Sequence, residues 1–239
     1  MTEGLGRTRG IRAVVFDVGE TLVDETRAWS LWADHLGVPR LTLFSVLGAT
    51  IAAGEHHQDP MRLFRPHIDI DAESAALIAT GRSWHAARED LYPDALPCLQ
   101  ALRDLGYRLG VAANQPAEVA EMIRSIGVEL DLVGMSAAWR LHKPDPAFFA
   151  RIAEELGLPP AEIAYVGDRI DNDVRPARDA GMVAVFVRRG PWGWIQAGRE
   201  DPAEADIVVD SLSELPERLG PADGGPEEER GTGAAAPAE

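Results

Sequence analysis

The sequence predicts an α/β fold, a doubly wound parallel sheet interrupted after its first strand by a block of helices. Three observations predict it. From Tyr92 onward, short β-branched runs alternate with helix-length amphipathic segments, the pattern that builds parallel strands with crossover helices. Two of the apolar runs end in a carboxylate beside a glycine, in Phe16-Asp17-Val18-Gly19 and in Val166-Gly167-Asp168. Open sheets of this kind bind ligands at the C-terminal ends of their strands. Between about Asp24 and Leu91, by contrast, no strand-like run occurs.

Ile11 to Phe16 is the first strand, buried on both faces by its unbroken apolar character. Helical spacing then sets in, first through Trp29, Leu31, Trp32 and Leu36. After a break at Gly37-Val38-Pro39 it resumes through Leu41, Phe44, Val46, Leu47 and Ile51. Gly54 to Pro60 reads as a polar loop, Met61 to Phe64 as a short apolar turn, and Asp71 to Glu89 as one further helix carrying Ala75, Leu77, Ile78, Trp84 and Ala87. The block reads as a small cap domain over residues 24–91, with residues 1–23 and 92–220 forming the α/β core.

In that core the expected helices are Pro93 to Gly106, Pro116 to Gly127, Pro146 to Gly157, Val174 to Ala180 and Leu212 to Leu219. The expected strands are Tyr107 to Ala113, Leu130 to Ser136, Ile163 to Gly167, Met182 to Val187 and Ile207 to Val209. Pro146 at the start of its helix and Gly157 at its end follow the usual asymmetry of helix termini. Residues 221–239, rich in Gly, Pro, Ala and Glu, lack the apolar content to fold and are expected to be disordered.

The 239 residues are 46% hydrophobic, enough for one sizeable core without disulfide support. A formal net charge of -16 disfavours nucleic acid and anionic membranes as partners, because both select basic surfaces. The lone Cys98 is expected to be a buried structural thiol, and with no secretory or membrane-spanning run the reading is cytoplasmic. A monomer or homodimer is expected.

The chemistry resides in four segments: Asp17 to Leu22, Val111-Ala112-Ala113-Asn114-Gln115, Lys143-Pro144-Asp145-Pro146, and Gly167-Asp168 with Asp173. Together they resemble the haloacid dehalogenase superfamily of hydrolases over roughly residues 11 to 210. The resemblance implies Asp17 as a carboxylate nucleophile, with Lys143 neutralising charge on the nucleophile and the transferring group. It implies Mg²⁺, a hard cation that prefers oxygen ligands, held by Asp17, the Gly19 carbonyl and Asp168, with Asp173 behind them orienting Lys143 or a metal-bound water. Asp171 is the weaker ligand candidate. Thr21 is expected to bond Asp17 or the turn that follows it.

Two positions depart from the family pattern. The Asp that protonates the leaving group two residues after the nucleophile is Gly19 here, and the Ser or Thr that donates to phosphate is Ala113, which leaves Asn114, Gln115 or backbone amides to substitute. Glu20 stands next to the first vacancy, although a role beneath the cap suits it better.

The function expected is hydrolysis of a small phosphorylated metabolite through an aspartyl-phosphate on Asp17. The alternatives are carbon–halogen cleavage in the manner of a 2-haloacid dehalogenase, which needs no leaving-group acid, and a catalytically degenerate protein that binds phosphorylated ligands.

The remaining features read as structural. His56, His57 and His67 lie in polar loops without metal-ligand spacing. Trp29, Trp32 and Trp84 suit the cap core. Pro191-Trp192-Gly193-Trp194 suits either the site mouth or the sheet edge. Arg188-Arg189 reads as an exposed pair.

Overall fold

Six short apolar runs of this chain hydrogen-bond side by side because their residues alternate between two buried faces. A computed structural model describes residues 10–56, 58–200 and 202–222. In chain order the elements are β1 (Ala13–Phe16), α1 (Thr26–Leu36), α2 (Arg40–Ala53), α3 (Asp59–Phe64), α4 (Ile70–Ala79), α5 (Ala95–Asp104), β2 (Arg108–Ala113), α6 (Val119–Arg124), β3 (Leu132–Met135), α7 (Ser136–Trp139), α8 (Pro146–Leu156), β4 (Ile163–Gly167), α9 (Arg175–Asp179), β5 (Val183–Val187), α10 (Gly190–Ala197), β6 (Ile207–Val209) and α11 (Leu215–Leu219). All strand pairs are parallel, in the order β3-β2-β1-β4-β5-β6.

On β1, Val14 and Phe16 join the core beneath α5 and α6, while Ala13 and Val15 join the opposite core with Phe148, Phe149 and Ile152 of α8. This is the doubly wound α/β architecture the sequence predicts. Connections run from β1 toward β3 on one side and from β4 toward β6 on the other. The direction of winding therefore reverses beside β1, and such a reversal opens a crevice at the strand ends.

Helix α8 shows why the core boundaries were readable. Asp145 Oδ1 accepts the Ala147 amide at 2.8 Å, Pro146 occupies the first turn, and Gly157 closes the helix at φ 59°. The tract Asp71 to Glu89, in contrast, is α-helical only through Ala79. Thr80 Oγ1 turns back onto the Leu77 carbonyl at 2.7 Å and Gly81 adopts φ 76°, which stops the helix despite the apolar spacing beyond it. The non-helical stretch that follows is held by Arg27, whose guanidinium donates to the Ser83 and His85 carbonyls at 2.7 Å each and to Asp90.

Helices α1–α4 share their own apolar cluster, built on Trp29, Trp32, Leu36, Leu43, Leu47, Ile51, Met61 and Leu77. Trp192 of α10 completes that cluster, its ring 6.5 Å from Trp29. Trp192 thus joins the helical block to the sheet, with the Arg169 guanidinium 5.5 Å from its ring. α10 itself, like the short α7, escaped the sequence reading.

The two strands of chain that enter and leave the block pair with each other. Asp24 N donates to Asp90 O at 2.8 Å, and Tyr92 N to Leu22 O at 2.9 Å. At the other end of the chain, Ala222 is buried and its amide donates to Leu105 O at 2.9 Å, so the ordered core extends two residues past Gly220. The rest of the tail, and His57, lie outside the described residues. No single helix among the described residues is long and apolar enough to cross a membrane.

Candidate active site

Asp17 follows β1 directly, and its amide continues the ladder by donating to Val166 O of β4 at 2.9 Å. The chain then folds into a tight turn in which the Leu22 and Val23 amides both donate to Val18 O at 2.9 Å. That turn holds the Asp17 carboxylate at the crevice, beside the C-terminal end of β4 and Asp168. Lys143, only 4% exposed, places Nζ 2.8 Å from Asp17 Oδ1 and 2.6 Å from Asp173 Oδ1.

Asn114, at the end of β2, holds the lysine by its backbone. Its Nδ2 donates to Lys143 O at 2.9 Å, and its Oδ1 accepts the Lys143 amide at 2.8 Å. Asn114 thus has a positioning role that the sequence reading did not include, with one Nδ2 hydrogen not used by it. One donor and the acceptor of its amide are spent on positioning Lys143, a pairing across 29 residues that the local sequence does not display.

Asp173 lies in a π-helical turn, Ile170–Val174, whose wide pitch carries its side chain back over Gly167. Its Oδ2 accepts the Arg169 amide at 3.0 Å, and a side chain at Gly167 would overlap its carboxylate. Gly167→Ala is expected to push Asp173 off Lys143 and to destabilise the protein by about 1–3 kcal/mol, the usual cost of overpacking, as read from denaturant unfolding. An unchanged unfolding midpoint would contradict this placement. Asp171 is turned away, engaged by Arg169 and by Gln196 Nε2 at 2.7 Å.

Oxygens of Asp17, Asp168 and Asp173 lie within 4.8 Å of one another. Two of the three, Asp17 and Asp173, contact the single Lys143 ammonium. Burial opposes the charge on Lys143, but Asp17 and Asp173 outweigh it and raise its pKa well above the ordinary value. Burial, reinforced by Asp173 and Asp17, likewise drives the Asp168 carboxyl well above the usual range. Asp173 is pushed up to about 6 by burial despite Lys143. Asp168 Oδ2 is buried and has no hydrogen-bond partner. An orphaned carboxylate oxygen among crowded acids, all hard oxygen donors, fits a divalent cation.

Several neighbours differ from their sequence readings. Thr21 does not bond Asp17: its buried hydroxyl is unpartnered, because backbone amides already close the turn it was expected to brace. Glu20 sits in the left-handed region at φ 51°, anchored by the Tyr92 hydroxyl at 2.6 Å and the Glu25 amide at 3.2 Å. Both its oxygens are engaged away from Asp17. Arg189 is buried rather than exposed. It donates to Asp94 Oδ1 at 3.0 Å and to the Thr21 carbonyl at 3.2 Å, and it lies over the Tyr92 ring. Arg188 alone keeps a surface role, paired with Asp210.

The sequence reading passed over Glu25. It occupies the position before α1, where a short polar side chain usually caps the helix, yet its carboxyl makes no capping bond. Oε2 accepts Trp29 Nε1 at 3.3 Å, and the carboxyl carbon stands 3.0 Å from where a side-chain carbon at Gly19 would lie. Burial, aided by Glu20 and Asp17, pushes this carboxyl up to about 8.

A family model described as haloacid dehalogenase-like hydrolase matches residues 11–181. The glyceraldehyde 3-phosphate phosphatase of Methanopyrus kandleri is 30% identical over 223 residues, covering 86% of this chain and 95% of the relative. The phosphoserine phosphatase of Thermus thermophilus is 30% identical over 227 residues, covering 89% and 88%. The L-2-haloacid dehalogenase of Xanthobacter autotrophicus superposes with a TM-score of 0.61 at 21% identity over 87% of this chain and 98% of that one, a likeness of fold alone.

Proposed function

The chain belongs to the haloacid dehalogenase-like hydrolases, and from that premise we propose that it is a Mg²⁺-dependent phosphatase of a small phosphorylated metabolite with Asp17 as nucleophile. The arrangement of Lys143 supports this reading most: one buried ammonium shared by Asp17 and Asp173, beside an Asp168 oxygen that no other group satisfies. A phosphate dianion entering this site would meet more carboxylates than cations, so the acids call for a further positive charge. Asp17 and Asp168 would hold Mg²⁺, and the ion would draw off charge from the phosphate oxygens.

The protein groups divide the remaining work. The Asp17 carboxylate attacks phosphorus as the bond to the ester oxygen breaks, giving an acyl phosphate on Asp17 that water then hydrolyses to inorganic phosphate. Lys143, held by Asn114 and Asp173, stabilises charge on the transferring group at a fixed point. The helical block of residues 24–91 acts as a cap that selects the substrate, seated on α10 through Trp29 and Trp192.

Inorganic phosphate release from a panel of phosphate monoesters, with Mg²⁺ and with chelator, tests the reading. Chelation is expected to reduce release by about 10²-fold or more, with recovery on adding Mg²⁺. Full release in chelator would contradict it, and metal-free halide release from 2-haloacids would replace it with the dehalogenase alternative.

A further inference from the structure

Resting on the phosphatase reading, we propose that Glu25, reaching in from the residue before α1, is the catalytic acid that protonates the leaving group in place of a side chain at position 19. Cleavage of an alkyl phosphate leaves an alkoxide, and a positioned acid typically speeds that step about 10²- to 10⁴-fold. Of the groups around Asp17, Lys143 is held between two carboxylates, Asp173 is tied to Lys143 and to the Arg169 amide, and Glu20 is occupied by Tyr92 and the Glu25 amide. Glu25 spends one oxygen on Trp29, and the other is turned to Gly19.

The geometry at Gly19 points to Glu25. A side-chain carbon built on Gly19 would fall against Glu25 Oε1, at about the separation between the Cβ of an aspartate and its own carboxyl oxygens. The Glu25 carboxyl oxygen therefore occupies the shell that an acid at position 19 would fill, two residues past the nucleophile. A larger residue at position 19 would have to displace the Glu25 carboxyl from this place.

The proton balance closes. As the Asp17 oxygen bonds to phosphorus and the ester bond breaks, the leaving oxygen takes the Glu25 proton. When water attacks the acyl phosphate it gives its proton to Glu25, phosphate departs and the Asp17 carboxylate is restored.

The test compares the full chain with Glu25→Gln and Glu25→Ala, in Mg²⁺, on a simple alkyl phosphate and on p-nitrophenyl phosphate, whose leaving group needs no proton. Turnover of the alkyl ester is expected to fall about 10²-fold or more and that of the aryl ester by less than about 10-fold. Gly19→Asp added to Glu25→Ala is expected to restore part of the alkyl activity, because the space beside Asp17 is then free for the new carboxyl. Equal losses on both esters, or an undiminished alkyl rate, would overturn the assignment while leaving the phosphatase reading intact. Silence of the unmodified protein on both esters would overturn that reading and the assignment with it.

Discussion

Asp17→Asn is expected to lower phosphate release by on the order of 10⁴-fold or more, because an amide cannot form the acyl phosphate and the other groups act only around that step. The fold should survive the exchange. Asn keeps the shape of Asp17, and the β1–β4 ladder at this point uses the backbone amide rather than the side chain. The exchange also removes one charge from a cluster of three carboxylates, two of which share one lysine. The melting temperature measured in chelator should therefore stay level or rise. A variant that keeps its activity would remove Asp17 as nucleophile, and one that unfolds would show the carboxylate to be structural.

Lys143→Met is expected to fail in the opposite manner, losing both activity and stability. Its ammonium is the sole cation in direct contact with Asp17 and Asp173 among the described residues, and Asp173 is wholly buried. Breaking a buried pair by deleting one partner typically costs about 3–5 kcal/mol, since the remaining charge stays desolvated and unpaired. For a chain of this length that corresponds to a fall of about 6–20 °C in melting temperature. Turnover should drop about 10²- to 10³-fold as the fixed charge near the transferring group disappears. Thermal unfolding with and without Mg²⁺ checks the electrostatic cause. The variant should lose less stability when the ion is present, because a bound cation compensates the same acids. Equal losses in Mg²⁺ and in chelator would show that the acids do not share a metal, and no loss at all would show that Lys143 does not neutralise the cluster.

These two variants separate charge from shape at one site. Asn at position 17 relieves crowding among acids, and Met at position 143 aggravates it. A purely mechanical account, in which each residue only fills space, predicts small effects of the same sign for both.

How much of this was legible in the sequence depends on how far apart the interacting residues lie. Asp17 and Asp168 were readable because each immediately follows a buried strand, and neighbouring parallel strands bring such ends together. Lys143 was readable from Pro144-Asp145-Pro146, which caps and starts α8 one turn later. The pairing of Asn114 with the Lys143 backbone was not, because it joins a strand end to a loop 29 residues away.

Arg188 and Arg189 show the same limit within one dipeptide. Adjacent and chemically identical, they part company because Asp210 faces one at the surface while Asp94 and Thr21 enclose the other. The overlong reading of α4 has a local cause instead. Trp84 and Ala87 continue the helical spacing, but Thr80 and Gly81 had already closed the helix, and Trp84 reaches the same cluster from irregular chain. Glu25 was hidden because its relation to Gly19 depends on a turn that brings residues 19 and 25 together, and spacing alone does not reveal which way a carboxyl points.

The measurement closest to the central claim is the mass of the Asp17-containing peptide after rapid acid quench during turnover of a substrate identified in the phosphate-release panel. A phosphoryl group on that peptide, removed by hydroxylamine and lacking in Asp17→Asn, is the result expected of a carboxylate nucleophile. Steady phosphate release with an unmodified Asp17 peptide at every quench time, under conditions that preserve acyl phosphates, would contradict covalent catalysis at this residue and leave the acidic cluster with a metal-activated water as nucleophile.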